Sequence, residues 1–394
     1  MRLYTCTPIA FKGDHTFFSR ESGLLSRSLA DIGVESRAVM PQPSHPEDEE
    51  GLIRADYTDL AKALWWKKQG VDAVVLFAWA VPKYTPIARA IKDSGAKLML
   101  YIDSAGIWNP WSDGYSWFRN TWNFNTRTYG RAIGMPRFLL AALRQSIPSL
   151  FAVPRLEQLS LADVIGSGSP GALRRTMNYA HTFGFSDITD RIVLSPPPIP
   201  EHFSYDGEEK RKRVVCVARW RKQDWAQKNP GILLSSLAAF LARRTDYEAF
   251  VVGRGATELK HAKFYPAALD NLPVRFLDAI PNSELPSLYR QSRISFCSSY
   301  HESFHLASFE AACCGCSIVA LDSDDVPALQ WLAETDGTLA EKESAHSFAE
   351  ALAREAAAWD TGAREANKTA TRWTSELWAS RAARRVVHQL RMDF

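Results

Sequence analysis

Long apolar runs are missing from this chain. The longest apolar stretch, residues 138–154, is interrupted by Arg144, Gln145 and Pro148, whereas a membrane-spanning helix needs about 20 apolar residues in succession. Cysteine is sparse, six in 394 residues, and Cys6, Cys216, Cys297, Cys313, Cys314 and Cys316 show no paired spacing that reads as a zinc site. Cys314-Gly315-Cys316 is too tight for a redox motif, so the six read as reduced core residues of a cytoplasmic protein. An excess of one charge is also absent. A net charge of +3 argues against nucleic acid as the principal partner, which requires a concentrated basic face. Residues 1–6 lead straight into a strand-like segment without the apolar core and cleavage site of a secretory signal.

What is present is ordinary globular composition, 46% apolar and 23% charged, in a chain long enough for two cores of roughly 200 residues each. Short β-branched runs alternate with helical stretches, the pattern of parallel strands joined by crossover helices. The first series places strands at 3–6, 36–39, 73–77, 97–102, 164–166 and 191–194, with helices at 136–146 and 148–160 among those between them. Ser195-Pro-Pro-Pro-Ile-Pro200 then halts regular structure. A second series follows, with strands at 214–218, 249–252, 275–277, 294–297 and 317–321, and alanine-rich helices at 347–359 and 375–389 close the chain. The expected organisation is an α/β chain of two Rossmann-like domains, 1–199 and 200–372, with a last helix over 373–394.

In open parallel sheets, ligands bind beyond the carboxyl ends of the strands. After the strand at 294–297 comes His301-Glu-Ser-Phe-His-Leu-Ala-Ser-Phe-Glu310. Glu302 falls in the loop, where it can reach sugar hydroxyls, and Glu310 lies about one turn into a helix starting near Leu306, where it can grip a ribose. Ser303 sits between them, and the free N–H groups of Phe304, His305 and Leu306 would make a diphosphate site. A bare pair at this spacing equally suits two surface carboxylates. Arg219 and Lys228, at the mouth of the same sheet, add two cations able to neutralise a departing diphosphate without a metal. His301 and His305 flank Glu302, but the helix start falls between them, so no metal site is expected.

These residues carry a resemblance. Residues 214–320 look like the donor half of retaining glycosyltransferases of the GT-B architecture, in particular glycosyltransferase family 4. Arg219 and Lys228 match that family's basic pair, Gly253 its glycine after the second strand, Phe276-Leu-Asp-Ala-Ile280 its base-binding turn and Glu302 to Glu310 its Glu-x7-Glu signature. The resemblance implies two domains facing a cleft, a UDP- or GDP-linked sugar as donor, no cofactor or metal, retention at the anomeric carbon, and a final helix, 373–390, returning to the first domain. Departures are Ala218 where the family usually has Gly, Asp322-Ser-Asp-Asp-Val-Pro327 where it has a glycine pair and a glutamate, and Asp103 where it often has His. Rival readings are a nucleotide-sugar epimerase on the same fold and a non-catalytic sugar-binding partner in glycan assembly.

On the acceptor side, Gly13 suits a loop that brings backbone to the donor or an ordinary βα turn. Asp14, His15 and Asp103 are acceptor candidates, although a lone histidine such as His15 is equally a hydrogen-bonded loop residue. Residues 106–155 hold Trp108, Trp111, Trp117 and Trp122 and six arginines against one acid, Asp113. Aromatic faces stack on sugars, and Trp with Arg suits an anionic headgroup layer. A glycan or lipid-linked acceptor, peripheral contact with an anionic membrane, or an irregular insertion filling its own core all fit this segment.

Overall fold

The computed structural model describes residues 1–392. The chain forms two contact units: 1–118, 139–200 and the segment from Glu376 onward make the first, and 119–138 with 201–375 the second.

In the first unit, β1 (Leu3–Cys6), β2 (Ala38–Pro41), β3 (Leu52–Ala55), β4 (Ala73–Leu76), β5 (Lys97–Ile102), β6 (Val164–Ser167) and β7 (Ile192–Leu194) form one sheet. Its order is β3-β2-β1-β4-β5-β6-β7 and every pairing is parallel. Alternation along each strand sends side chains to opposite faces. Tyr4, Cys6, Val74, Leu76, Leu98 and Leu100 join one core with Ile87 and Ile91 of the helix Thr85–Asp93. Leu3, Val75, Met99 and Tyr101 join the other with Leu25 and Leu29 of the helix Glu21–Asp31 and Val386 and Val387 of the helix Ala379–Gln389.

The second unit repeats the plan. β8 (Arg211–Val217), β9 (Glu248–Val252), β10 (Val274–Leu277), β11 (Ser292–Phe296), β12 (Ser317–Leu321) and β13 (Gly337–Ala340) pair in parallel in the order β10-β9-β8-β11-β12-β13. Each sheet reverses direction of travel beside its first strand, β1/β4 and β8/β11, and such switch points open a crevice at the strands' carboxyl ends.

The alternation of strands and helices is as expected, but β3 and β13 were not foreseen. Both are four-residue edge strands, with only their last residue buried, so neither carries the apolar run by which a central strand is recognised. The closing helix expected over 373–394 is two helices, Ala366–Leu377 and Ala379–Gln389. Trp373 belongs to the second unit: its indole N–H donates to Asp336 (2.9 Å) and its ring packs on Trp331 and Phe309. Positions 393 and 394 lie outside the described residues.

The largest departure is the segment 110–145. It is helical from Pro110 to Gln145, capped by Asn109, whose side chain accepts from the Trp111 N–H, with Pro110 in the first turn. A straight helix of this length would be about 54 Å long, yet the Asn109 side chain donates to the Gln145 carbonyl (2.8 Å) and the Trp111 indole to that of Ser146 (3.1 Å). The element therefore doubles back. The reversal falls at Gly130, whose φ of 74° lies in the left-handed region that L residues avoid. The arms approach closely at Gly134, where a Cβ would sit 2.6 Å from the Asn125 carbonyl oxygen. The segment is a helical hairpin rather than an irregular insertion, and its three glycines and internal Pro136 mask the helical period in the sequence.

Candidate functional site

The loops after β8 and β11 form the core of the site in the second unit. Gly253, after β9, fixes the first. Its φ is 126°, and a Cβ there would lie 1.9 Å from the Ala218 carbonyl oxygen, so only glycine lets the two loops touch. Ala218 in turn donates its N–H to Val252. Arg219 follows directly and stays exposed, its guanidinium 3.7 Å from Asp224.

Lys228 ends a short helix, Trp225–Lys228, and Asn229 takes a left-handed conformation before Pro230 opens the next helix. The loop after β11 is bonded to this corner: Ser298 Oγ donates to the Lys228 carbonyl, Tyr300 N–H to Gln227, and Gln227 Nε2 to the His301 carbonyl. That arrangement drives Lys228 Nζ onto Glu302 in a buried ion pair. Burial, the largest single influence, would raise the Glu302 carboxyl, but the attraction of Lys228 and His305 together with hydrogen bonds from Lys228 and Ser299 holds the group below its ordinary range. Glu302 also receives a bond from Gln227 (3.3 Å), and its own N–H donates to Asp325. Lys228 and Glu302, read from sequence as separate contacts to phosphate and sugar, are thus each other's partner.

Beyond Glu302 the chain passes Ser303 and enters the helix Leu306–Cys313, with His305 as its cap residue. Phe304 stacks on Phe309 (centroids 4.0 Å apart) and anchors the turn. Among the described residues the backbone N–H groups of Phe304, His305 and Leu306 have no hydrogen-bond partner, so they are the open donors expected at a helix start. Glu310 is buried one turn in. Burial pushes the His305 imidazole down to about 4, Lys228 adding to this and Glu302 opposing it, so the ring is neutral near pH 7 and its Nδ1 pairs with Ser308 (2.8 Å). Cys297, Glu302 and His305 bring ligand atoms within 4.8 Å of one another. Burial raises the Cys297 thiol to about 11 and the carboxylate already holds an ammonium, so in this state the trio is a poor cation nest.

Sequence reasoning missed the participation of the helical hairpin. Arg119 bonds to Asp325 and Ser323 (both 2.9 Å), Asn120 to the His301 ring (2.8 Å), and Arg127 forms a two-pronged pair with Glu343 while covering the Tyr300 ring. Asp325 lies in the stretch that departs from the expected glycines. There it supplies the carbonyl that holds Glu302 and the carboxylate that holds Arg119.

In the first unit the sequence candidates separate. Gly13 is held by the neighbouring loop: its N–H donates to Asp48 (2.9 Å), and a Cβ would strike Leu52. Asp14 caps a short helix through Thr16 and Phe17 N–H groups, and His15 is the exposed first residue of that helix. Trp108 is a core residue, with its indole on Ser104 and its ring on Tyr179 and Arg155, and this corrects its expected acceptor role. Asp103 is half-buried at the end of β5. Unforeseen is Glu21, which lines a cavity of about 390 Å³ with Phe11, Lys12, Phe17, Phe77 and Trp79. Its φ of 40° and those of Trp79 (49°) and Ala80 (51°) are all left-handed, and such strain concentrates at functional sites. Burial and the nearby Asp103 push its carboxyl up to about 7.

Two doubly wound parallel sheets, one with a basic-acidic helix-start site, define the GT-B glycosyltransferase fold. More particularly, residues 211–356 match the family described as glycosyl transferases group 1. Over 132 residues the chain is 32% identical to a D-inositol 3-phosphate glycosyltransferase of Corynebacterium glutamicum, a match covering 32% of this chain and 31% of that protein. The chain thus spans less than a third of the length of the curated relatives it matches. Among solved structures, sucrose-phosphate synthase from Thermosynechococcus elongatus aligns with a TM-score of 0.61 at 16% identity, covering 99% of this chain and 98% of that one. HepE of Anabaena, solved with UDP and glucose, aligns with a TM-score of 0.61 at 11% identity, covering 99% and 100%. No helix among the described residues is long and apolar enough to cross a membrane.

Proposed function

We propose that this protein transfers a sugar from a nucleoside diphosphate sugar, UDP- or GDP-linked, to a glycan, lipid-linked or small-molecule acceptor, with retention and without a metal. The observation that carries this reading is the helix start at Leu306, with three unpaired N–H groups beside the buried Lys228–Glu302 pair and the exposed Arg219. The diphosphate sits on those N–H groups and Arg219, the ribose on Glu310, and the sugar beside Glu302 and Ser303. The relatives support the reading in kind: one is a glycosyltransferase by name, and one was solved with UDP and glucose.

Charge grows on the leaving diphosphate as the glycosidic bond breaks, so fixed donors and cations stabilise the transition state more than the ground state. Lys228 supplies that charge from a position fixed by Glu302, in the role a divalent ion would otherwise fill. In this reading no second carboxylate acts as nucleophile in the manner of a retaining hydrolase, and the leaving phosphate itself takes the acceptor's proton. The cavity at Glu21 in the first unit has aromatic walls suited to a sugar ring.

The test begins with thermal shifts against a panel of nucleoside diphosphates and their sugars, where a true donor stabilises the fold by mass action. With that donor, Glu310→Ala is expected to raise KM and Arg219→Ala to depress kcat roughly 100-fold, while chelators leave the rate unchanged. Parent rates in both variants would remove the site assignment, and loss of rate with a chelator would remove the metal-free mechanism.

A further inference from the structure

Exposed large apolar side chains are concentrated on the helical hairpin and the turn after it. Trp111, Tyr115, Leu139, Leu140, Leu143 and Leu150 are each 54–77% exposed. A patch of this kind on a folded surface marks a docking site.

The charges on the hairpin say what docks. Of the arginines at 106–155, Arg119 and Arg127 are bound to Asp325 and Glu343, and Arg155 to the Ala80 carbonyl and the Trp108 ring. Arg131, Arg137 and Arg144 are exposed and form no ion pair among the described residues. The single acid, Asp113, is turned inward, accepting from the Trp108 and Asn109 N–H groups. The outward charge of the hairpin is therefore wholly positive. On the returning arm the 3.6-residue repeat puts Leu139, Leu140 and Leu143 on one stripe, and Arg137 and Arg144, seven apart, along its edge. A second copy of the chain would meet this face with like charge. An anionic bilayer meets both needs, since acyl chains take the leucines, headgroups take the guanidinium groups, and Trp and Tyr favour the boundary.

We infer that the hairpin face around Leu140 and Leu143, edged by Arg137 and Arg144, docks the protein on an anionic lipid surface. This proposal is independent of the donor site, none of whose residues it uses.

The experiment is sedimentation of the full chain with vesicles of phosphatidylcholine alone and of phosphatidylcholine with phosphatidylglycerol, at low and high salt. The protein should pellet with the anionic vesicles, less so at high salt. Each of Arg137→Gln and Arg144→Gln should weaken binding roughly fivefold, and Leu140→Glu/Leu143→Glu should abolish it. Because these side chains are exposed, the variants should keep the parent's circular dichroism and melting temperature, and that is checked first. Equal pelleting with both vesicle types, no pelleting with either, or variants that pellet like the parent would overturn the proposal. So would light scattering that finds a parent dimer made monomeric by the leucine variant, which would assign the face to a second copy.

Discussion

Lys228 and Glu302 are buried together, and a buried pair is asymmetric in its energetics: removing one partner strands the other's charge. Glu302→Ala and Lys228→Ala are each expected to destabilise the chain by about 3–5 kcal/mol, and Lys228→Met/Glu302→Leu by much less than their sum. Denaturant titration of the four proteins measures this, and additive losses would show the pair uncoupled. Glu21 tests the first unit. Its carboxyl is raised from 4.5 to about 7 by burial and Asp103, so the folded state holds a proton that the unfolded chain has released. Its contribution to stability is retained below about pH 4.5 and lost as pH rises through 7. Glu21→Gln should therefore match the parent at pH 4.5 and melt a few degrees higher at pH 8, by roughly 2–4 °C per kcal/mol regained. A constant offset at both pH values would count against the shifted carboxyl.

At the scale of elements, what holds the donor loops is backbone fit. Gly253 is squeezed against Ala218 at a φ that an L residue rarely takes, so Gly253→Ala should cost roughly 2–4 kcal/mol and displace Arg219 with its loop. A chemical-denaturation midpoint unchanged by the substitution would contradict this packing. The central strands were legible because β1, β4, β5 and β12 are short apolar runs bounded by helices, and the site loop because its acids, aromatics and glycine stand close in sequence. The edge strands were not, since a half-exposed strand such as β13 looks like a loop. Nor was the hairpin, in which Gly114, Gly130, Gly134 and Pro136 interrupt a period that pairing of the arms restores.

At the scale of the whole molecule, each unit has its own sheet and apolar core, so a ligand confined to the second should stabilise that unit selectively. Calorimetry with the donor nucleotide at 100 times Kd should raise one transition, by about 2.7 kcal/mol of stability, and leave the other near its free value. An equal shift throughout would mean that the two unfold as one. The sequence by itself determined the alternation of strand and helix, the two parallel sheets and the loop carrying Glu302 and Glu310, because these depend on periodicity and spacing within a few dozen residues. Only the tertiary structure decided which acid Lys228 meets, that Arg119 reaches Asp325 across 206 positions, that Trp108 is core, and that Glu21 faces a cavity. Those pairings arise from chain segments brought together by packing, and local pattern holds no record of which distant partner a buried charge or ring will find.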